Sequence, residues 1–141
     1  MIHEVNEQLV PYFNDDPVRH HLSEEFRTTE NRKSYALIWN DEQKPSAMIC
    51  VAFCKDVPAT EEELTEAGDV AVFYTVWSYE KGAGTEIVFE MVDYIKENMP
   101  NVNRFVTLSP LTQMARNFHI KNGAVEYRMN ETTVNFEYEN R

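Results

Sequence analysis

Positive charge is scarce in this sequence. Lysine and arginine total 13 against 24 aspartates and glutamates, a net charge of −11. Such a chain repels phosphate backbones and anionic membrane surfaces unless a basic patch intervenes. The cluster Asn31-Arg32-Lys33 is too small for one, so neither nucleic acid nor membrane is expected as a partner. No apolar run approaches the ~20 residues of a membrane span. The acidic, polar start MIHEVNEQLV lacks a secretory signal pattern. Cysteine is almost missing: Cys50 and Cys54 lie in one apolar segment. In a strand their side chains share a face but stand too far apart to bridge. Two cysteines without histidines at ligand spacing make no zinc site, so no metal is expected. Buried, reduced thiols in a cytoplasmic protein are the expectation.

What remains suits one domain over 1–141. Hydrophobic residues make up 43% and aromatics 12%, enough for a single core. No internal repeat or linker interrupts it. Residues 1–14 carry Val5, Leu9, Val10 and Phe13 around Pro11, as a short helix or a surface arm. Asp16-Pro17 is an N-cap followed by a first helical position. Val18, Leu22 and Phe26 continue as one apolar stripe, so a helix is predicted from there. His20 and His21 would point in different directions on it and sit in solvent. Strands are predicted over 35–39 and 46–54, joined by a polar turn over 40–45. The acidic insert over 55–68 holds a capping box, Thr60 with Glu63, and Glu61, Glu62 and Glu63 read as a solvated face.

A strand over 69–77, a loop over 78–84 and a helix over 85–99 follow. Val88, Met91, Val92, Ile95 and Met99 line one helix face, and Pro100 stops it. A strand over 104–108 runs into Ser109-Pro110. The next helix, over 112–122, is expected to turn Met114, Ala115 and Phe118 inward and to exit at Gly123. A hairpin of 124–129 and 132–138 closes the chain around Asn130-Glu131. Strand, loop, helix and strand imply a right-handed parallel crossover, whereas the hairpins imply antiparallel pairing. The class is therefore α/β, a mixed sheet with helices on its faces.

The loop before the long helix reads Lys81-Gly82-Ala83-Gly84-Thr85. Backbone N–H groups at a helix N-terminus favour an anion, and absent side chains let a phosphate approach. The pattern is neither a Walker A loop nor a dinucleotide fingerprint. Lys81 is placed to add a positive charge. By itself the pair of glycines also fits a plain tight turn.

Strand, Gly-x-Gly loop, long helix and strand, followed by Ala115-Arg116-Asn117-Phe118-His119 and Gly123, resemble the GNAT acyltransferase superfamily. The resemblance implies a GNAT-like mixed sheet with a central splay, helices on both faces and a C-terminal β-hairpin. In that superfamily the loop reads Gln/Arg-x-x-Gly-x-Gly/Ala and holds the pyrophosphate of coenzyme A. Here Tyr79 stands at the Gln/Arg position, while Gly82 and Gly84 match. His119 stands where many members carry a tyrosine general acid. Within the fold, Thr107-Leu108-Ser109-Pro110 and Asn117-Phe118-His119-Ile120-Lys121-Asn122-Gly123-Ala124 are similar to the two active-site segments of malonyl-CoA decarboxylases, S-L-S-P and N-F-H-L-x-N-G-A. Ala71-Val72-Phe73-Tyr74-Thr75-Val76 is similar to that family's A-I-F-Y-S-I strand. The similarity runs over about 16–129. The family's long insertion between its serine and histidine segments is missing, and Leu111-Thr112-Gln113 replaces its proline- and glycine-bearing sequence.

The resemblance implies an acyl-CoA thioester as small-molecule substrate, with no tightly bound cofactor. It implies that Lys81, Gly82, Ala83, Gly84 and Thr85 bind coenzyme A and that Ser109 and His119 are catalytic. A malonyl thioester would lose carbon dioxide while N–H donors stabilise the enolate. His119 would deliver a proton near neutral pH, and Ser109 would orient His119 or the departing carboxylate. Two other functions stay open: an N-acetyltransferase using acetyl-CoA, and an inactive CoA-binding or protein-interaction domain. Without the resemblance, Ser109 is a turn residue before Pro110 and His119 a filler beside Phe118. A homo-oligomer is also left open.

Overall fold

The computed structural model describes residues 2–40 and 44–139. Among them, eight strands form one sheet: β1 Ile2–Glu4, β2 Arg32–Leu37, β3 Ala47–Cys54, β4 Val70–Ser78, β5 Arg104–Thr107, β6 Ser109–Pro110, β7 Val125–Met129 and β8 Thr133–Tyr138. The order is β1-β2-β3-β4-β5-β8-β6, with β7 paired to β8 as the C-terminal hairpin. The β4–β5 pair is parallel, and the other pairs are antiparallel. Among the described residues three α-helices accompany the sheet: α1 Glu24–Thr28, α2 Ala83–Asn98 and α3 Gln113–Lys121.

Helix α2 is the crossover between β4 and β5. It starts at Gly82, whose φ of +86° suits a residue without Cβ, and Met99-Pro100 ends it. Its periodic residues Ile87, Val88, Met91 and Ile95 are fully buried against Tyr35, Ile49, Phe73 and Phe105 of the sheet. Each such side chain stabilises the fold by about 1.5–3 kcal/mol relative to exposure. Met48, Val72, Tyr74 and Leu108 on the opposite face pack under Leu9, Phe13, Phe26 and Leu64. Both faces are thus covered, which is why β3 and β4 carry apolar residues on both sides. Cys50 and Cys54 are free and buried in β3, and burial pushes the Cys54 thiol up to about 12.

The sheet splays at its centre. β3 stays paired with β4 as far as Ser78, but β4 and β5 separate after Phe73↔Thr107. Cys50 faces Thr75 while Val51 faces Phe73, so Tyr74 is an extra residue on β4. Such a bulge bends its strand and increases the twist. The Leu108 N–H to Phe73 O bond, 3.2 Å, is the last backbone link between the two arms.

Several expected elements differ. No continuous helix follows Asp16. Its carboxylate does accept from the N–H groups of Val18 and Arg19, but only a turn results, and α1 begins later with Ser23 as its cap. The carboxylate is drawn into a buried ion pair, which a straight helix would not permit. The first long strand covers Arg32–Leu37 rather than 35–39, because Arg32, Lys33 and Ser34 already pair with Ala52, Val51 and Cys50 of β3. In the N-terminal stretch the short helix is present as a 3-10 helix over Val10–Asp15 with Phe13 buried, and the strand β1, which was not expected, precedes it. The Thr60–Glu63 capping box is present, on a 3-10 turn. Glu61 is not simply solvated, since it accepts from Arg19 and meets His21. Of the turn expected over 40–45, residues 41–43 lie outside the described residues. Met114 is 82% exposed rather than inward, because α3 is short and presses His119, not Met114, onto the sheet.

Candidate functional site

The splay opens a cavity of about 310 Å³. One wall is the parted edge of β4 over 75–78, and the other is Leu108, Ser109 and Pro110. Ala115, Phe118 and His119 of α3 roof it, and Pro17 and Val18 close the far side. Among the described residues lining it, none is lysine, arginine, aspartate or glutamate. Beyond Phe73, β4 has no strand partner on this side, so alternate backbone N–H and C=O groups of 75–78 border the opening.

Ser109 and His119 both line this cavity, but neither is the other's hydrogen-bond partner. Ser109 is 3% exposed, and its Oγ lies 2.8 Å from Thr107 Oγ1. Thr107 Oγ1 accepts from the Phe136 N–H at 3.0 Å, so β8 fixes it. His119 is 7% exposed, near-parallel to the Phe136 ring and edge-on to Phe118 and Tyr138. Its Nδ1 lies 2.6 Å from the Tyr138 hydroxyl. That leaves Nε2 as the ring nitrogen available to a ligand. Burial pushes the Tyr138 phenol well above its ordinary value, so it stays protonated. Thr107 lies in the segment that resembles an active-site motif, but its support of Ser109 was not foreseen, and Tyr138 was missed altogether: it is an ordinary strand residue until the hairpin folds back, and no local pattern marks it.

Burial also pulls His119 from an ordinary 6.5 down to about 4. The imidazole is therefore neutral at pH 7, where a proton donor near neutral pH was expected. Between those two values the unfolded chain binds the extra proton and the folded chain does not. Stability conferred here is thus complete above pH 6.5 and falls as the pH drops toward 4, by up to about 3 kcal/mol. Urea midpoints at pH 7.0 and 4.5 for the wild type and His119→Phe should show a distinctly larger acid loss in the wild type. Equal losses would refute the buried neutral imidazole.

The glycine loop lies at the same end of the sheet. The Ala83 N–H already donates to Glu80 O, and Glu86 N–H to Gly82 O, both at 3.1 Å. Gly84 and Thr85 are the other first-turn amides, which by helix geometry have no acceptor within the helix. Thr85 Oγ1 donates to Asn122 Oδ1 at 2.9 Å, tying α2 to the end of α3. A Cβ on Gly84 would stand 3.3 Å from the Phe118 ring, so this glycine lets α3 approach. Lys81 is exposed beside the loop. Tyr79, at the position of the superfamily's Gln or Arg, donates to Asp15 Oδ2 and accepts from Trp77 Nε1.

Beneath the cavity lies a buried charge cluster that the sequence did not reveal. Asp16 Oδ2 accepts from Arg27 Nη1 at 2.9 Å, with both side chains fully buried. Burial pushes the Asp16 carboxyl upward, but the Arg19 and Val18 N–H groups and the Arg27 guanidinium outweigh it and hold it below its ordinary value. Among the described residues, no group of three or more His, Cys, Asp or Glu is arranged to hold a metal, and no helix is long and apolar enough to cross a membrane.

No protein-family model matches the sequence, and comparison with curated proteins finds no match. Solved structures do match in fold. The malonyl-CoA decarboxylase from Cupriavidus metallidurans superposes with a TM-score of 0.75 at 15% identity, over 99% of this chain and 60% of that one. The chain thus spans three fifths of that enzyme's length. An aminoglycoside acetyltransferase in complex with coenzyme A and kanamycin gives 0.71 at 17% identity, over 99% and 94% of the two chains. A Bacillus subtilis acetyltransferase in complex with CoA gives 0.68 at 10% identity, over 98% and 97%. The domain has the GNAT fold, as the element order implied.

Proposed function

We propose that this domain binds an acyl-CoA thioester and decarboxylates a malonyl group to acetyl-CoA and carbon dioxide. The observation that carries this is the placing of Ser109 and His119 on one uncharged cavity where β4 leaves β5. The two amides of an extended pantetheine arm match the unpaired backbone of β4, as an added strand would. The Gly84 and Thr85 amides, with Lys81 nearby, suit the pyrophosphate. Coenzyme A in the two acetyltransferase neighbours supports this assignment, and the decarboxylase neighbour supports the choice of acyl group.

The chemistry follows from the neutral walls. A carboxylate brought among them exchanges water for a few fixed donors, which favours its loss as carbon dioxide. The carbon–carbon bonding pair moves to the α-carbon and onto the thioester oxygen. If Tyr138 donates to Nδ1, His119 presents Nε2–H, and a neutral imidazole donor suits a forming enolate. The Ser109 hydroxyl, supported by Thr107, donates to the carboxylate. The enolate carbon then takes one proton from solvent to give acetyl-CoA. Transfer to an amine instead needs a base for the ammonium proton, and His119 at about 4 is a weak one.

Purified protein supplied with malonyl-CoA or acetyl-CoA, with and without amines, tests the proposal. Acetyl-CoA formed from malonyl-CoA regardless of amine is the expected result. Amine-dependent release of free thiol would replace it with acyl transfer. Coenzyme A binding without either product would leave a ligand-binding domain.

A further inference from the structure

Arg19 is 5% exposed and sits where the two arms of the sheet part. Its Nε donates to Tyr74 O at 2.8 Å, on the bulge of β4, and its Nη2 donates to Leu108 O at 2.6 Å, just past the end of β5. Its third arm, Nη1, reaches Glu61 Oε2 at 2.8 Å. One planar guanidinium therefore spans the angle of the splay immediately beyond the last rung, Leu108 N–H to Phe73 O. Its own backbone is pinned on both sides: the N–H by Asp16 Oδ1 at 2.9 Å and the carbonyl by Arg27 Nη2 at 2.6 Å. The two carbonyls it holds belong to the residue that breaks the β4 register and to the residue preceding Ser109.

We propose that Arg19 is a positioning residue that holds the sheet open, fixes how far Ser109 stands from the edge of β4, and so selects the acyl group by size. The size selection rests on the cavity being an acyl-CoA site, whereas the strut itself does not. A buried carbonyl without a donor is costly, so the two carbonyls hold the guanidinium as firmly as it holds them. A lysine has one donor centre and no rigid fork, and cannot span both in the same geometry. Without the fork, the arms are free to change their separation. Pro17 and Val18, which precede Arg19 and wall the cavity, would move with it.

The test uses the full chain with Arg19→Met and Arg19→Lys, each confirmed folded at 25 °C by circular dichroism. Affinities for coenzyme A and for acetyl-, malonyl-, butyryl- and hexanoyl-CoA are measured by calorimetry, and exchange of the Leu108 amide by NMR. In Arg19→Met, coenzyme A affinity should stay within about twofold, while the ratio of short- to long-acyl affinities shifts at least tenfold. Leu108 exchange should quicken at least tenfold relative to the Ile49 amide in β3, and Arg19→Lys should recover part of both effects. An unchanged ratio, or an equal fall for every ligand including coenzyme A, overturns the selection role. If the wild type binds no CoA thioester, the acyl-CoA assignment falls, and Leu108 exchange then decides the strut: unchanged relative protection overturns it, and faster exchange upholds it. Should Arg19→Met not fold, Arg19→Lys carries the same measurements against the wild type.

Discussion

Arg27→Met should lower unfolding stability by about 3–5 kcal/mol, the range expected when one partner of a buried ion pair is removed. Domains of this size have only about 5–15 kcal/mol in all, so the variant should be close to unfolding at 37 °C. The guanidinium is fully buried. It donates to Asp16 Oδ2, to Arg19 O and to Leu22 O, and lies 5.2 Å from the centre of the Phe13 ring. Removing it leaves the Asp16 carboxylate with three donors, the N–H groups of Val18 and Arg19 and the Thr75 hydroxyl. Those donors orient the carboxylate but carry no full positive charge. Asp16→Asn should also destabilise strongly, because it strands the arginine. The double variant should cost clearly less than the sum of the two, since it leaves neither charge unpaired. Urea unfolding of the four proteins measures this. Strict additivity, or a single-variant loss under about 1 kcal/mol, would mean that water reaches the pair.

Ser109→Ala and His119→Asn should each reduce malonyl-CoA turnover by roughly 10²-fold or more. The double variant should lose little beyond the worse single one, as groups that serve the same step do. Each has its own support, Thr107 for the serine and Tyr138 for the histidine. Their cooperation therefore runs through the substrate and not through a bond between them. The two substitutions should differ in stability. Ser109→Ala removes one hydroxyl from a short chain of hydrogen bonds. His119→Asn removes a ring packed against Phe118 and Phe136 and frees the Tyr138 hydroxyl, so its melting temperature should fall measurably. Activity must accordingly be expressed per folded molecule at 25 °C. With a neutral imidazole as donor, kcat/KM should be flat in His119's titration from pH 5 to 8 and decline as the pH approaches about 4. Full activity per folded molecule in His119→Asn would reduce the histidine to a packing residue.

Local physics made much of the fold legible. β3 and β4 announce themselves as both-face apolar runs, and burial on both faces is what such runs require. Helix α2 shows in the spacing of Val88, Met91, Val92 and Ile95, and its C-terminal end in Pro100, although it starts at Ala83, two residues before the expected 85. Gly123 exits α3 at φ +98°, a conformation that a side chain disfavours. The Thr60–Glu63 box needs only neighbours in sequence. Ser109 and His119 stood out as candidates only through the resemblance of their two segments to a known family, since local physics reads them as a turn residue and a filler.

Tertiary structure alone decided what those residues meet. Asp16 reads as a helix cap because its local bonds to Val18 and Arg19 are real; its choice of Arg27 depends on a chain reversal that no local pattern encodes. Arg19 is one charged residue among many until two strands part around it. Met114 looks like core by period, yet α3 covers an open cavity and leaves that methionine largely exposed on its lining. The neutrality of His119 comes from burial under Phe118, Phe136 and Tyr138. Periodicity, caps and turns act over a few residues and so can be read along the chain. Burial, charge pairing and pKa depend on groups brought together from distant positions, and only folding supplies them.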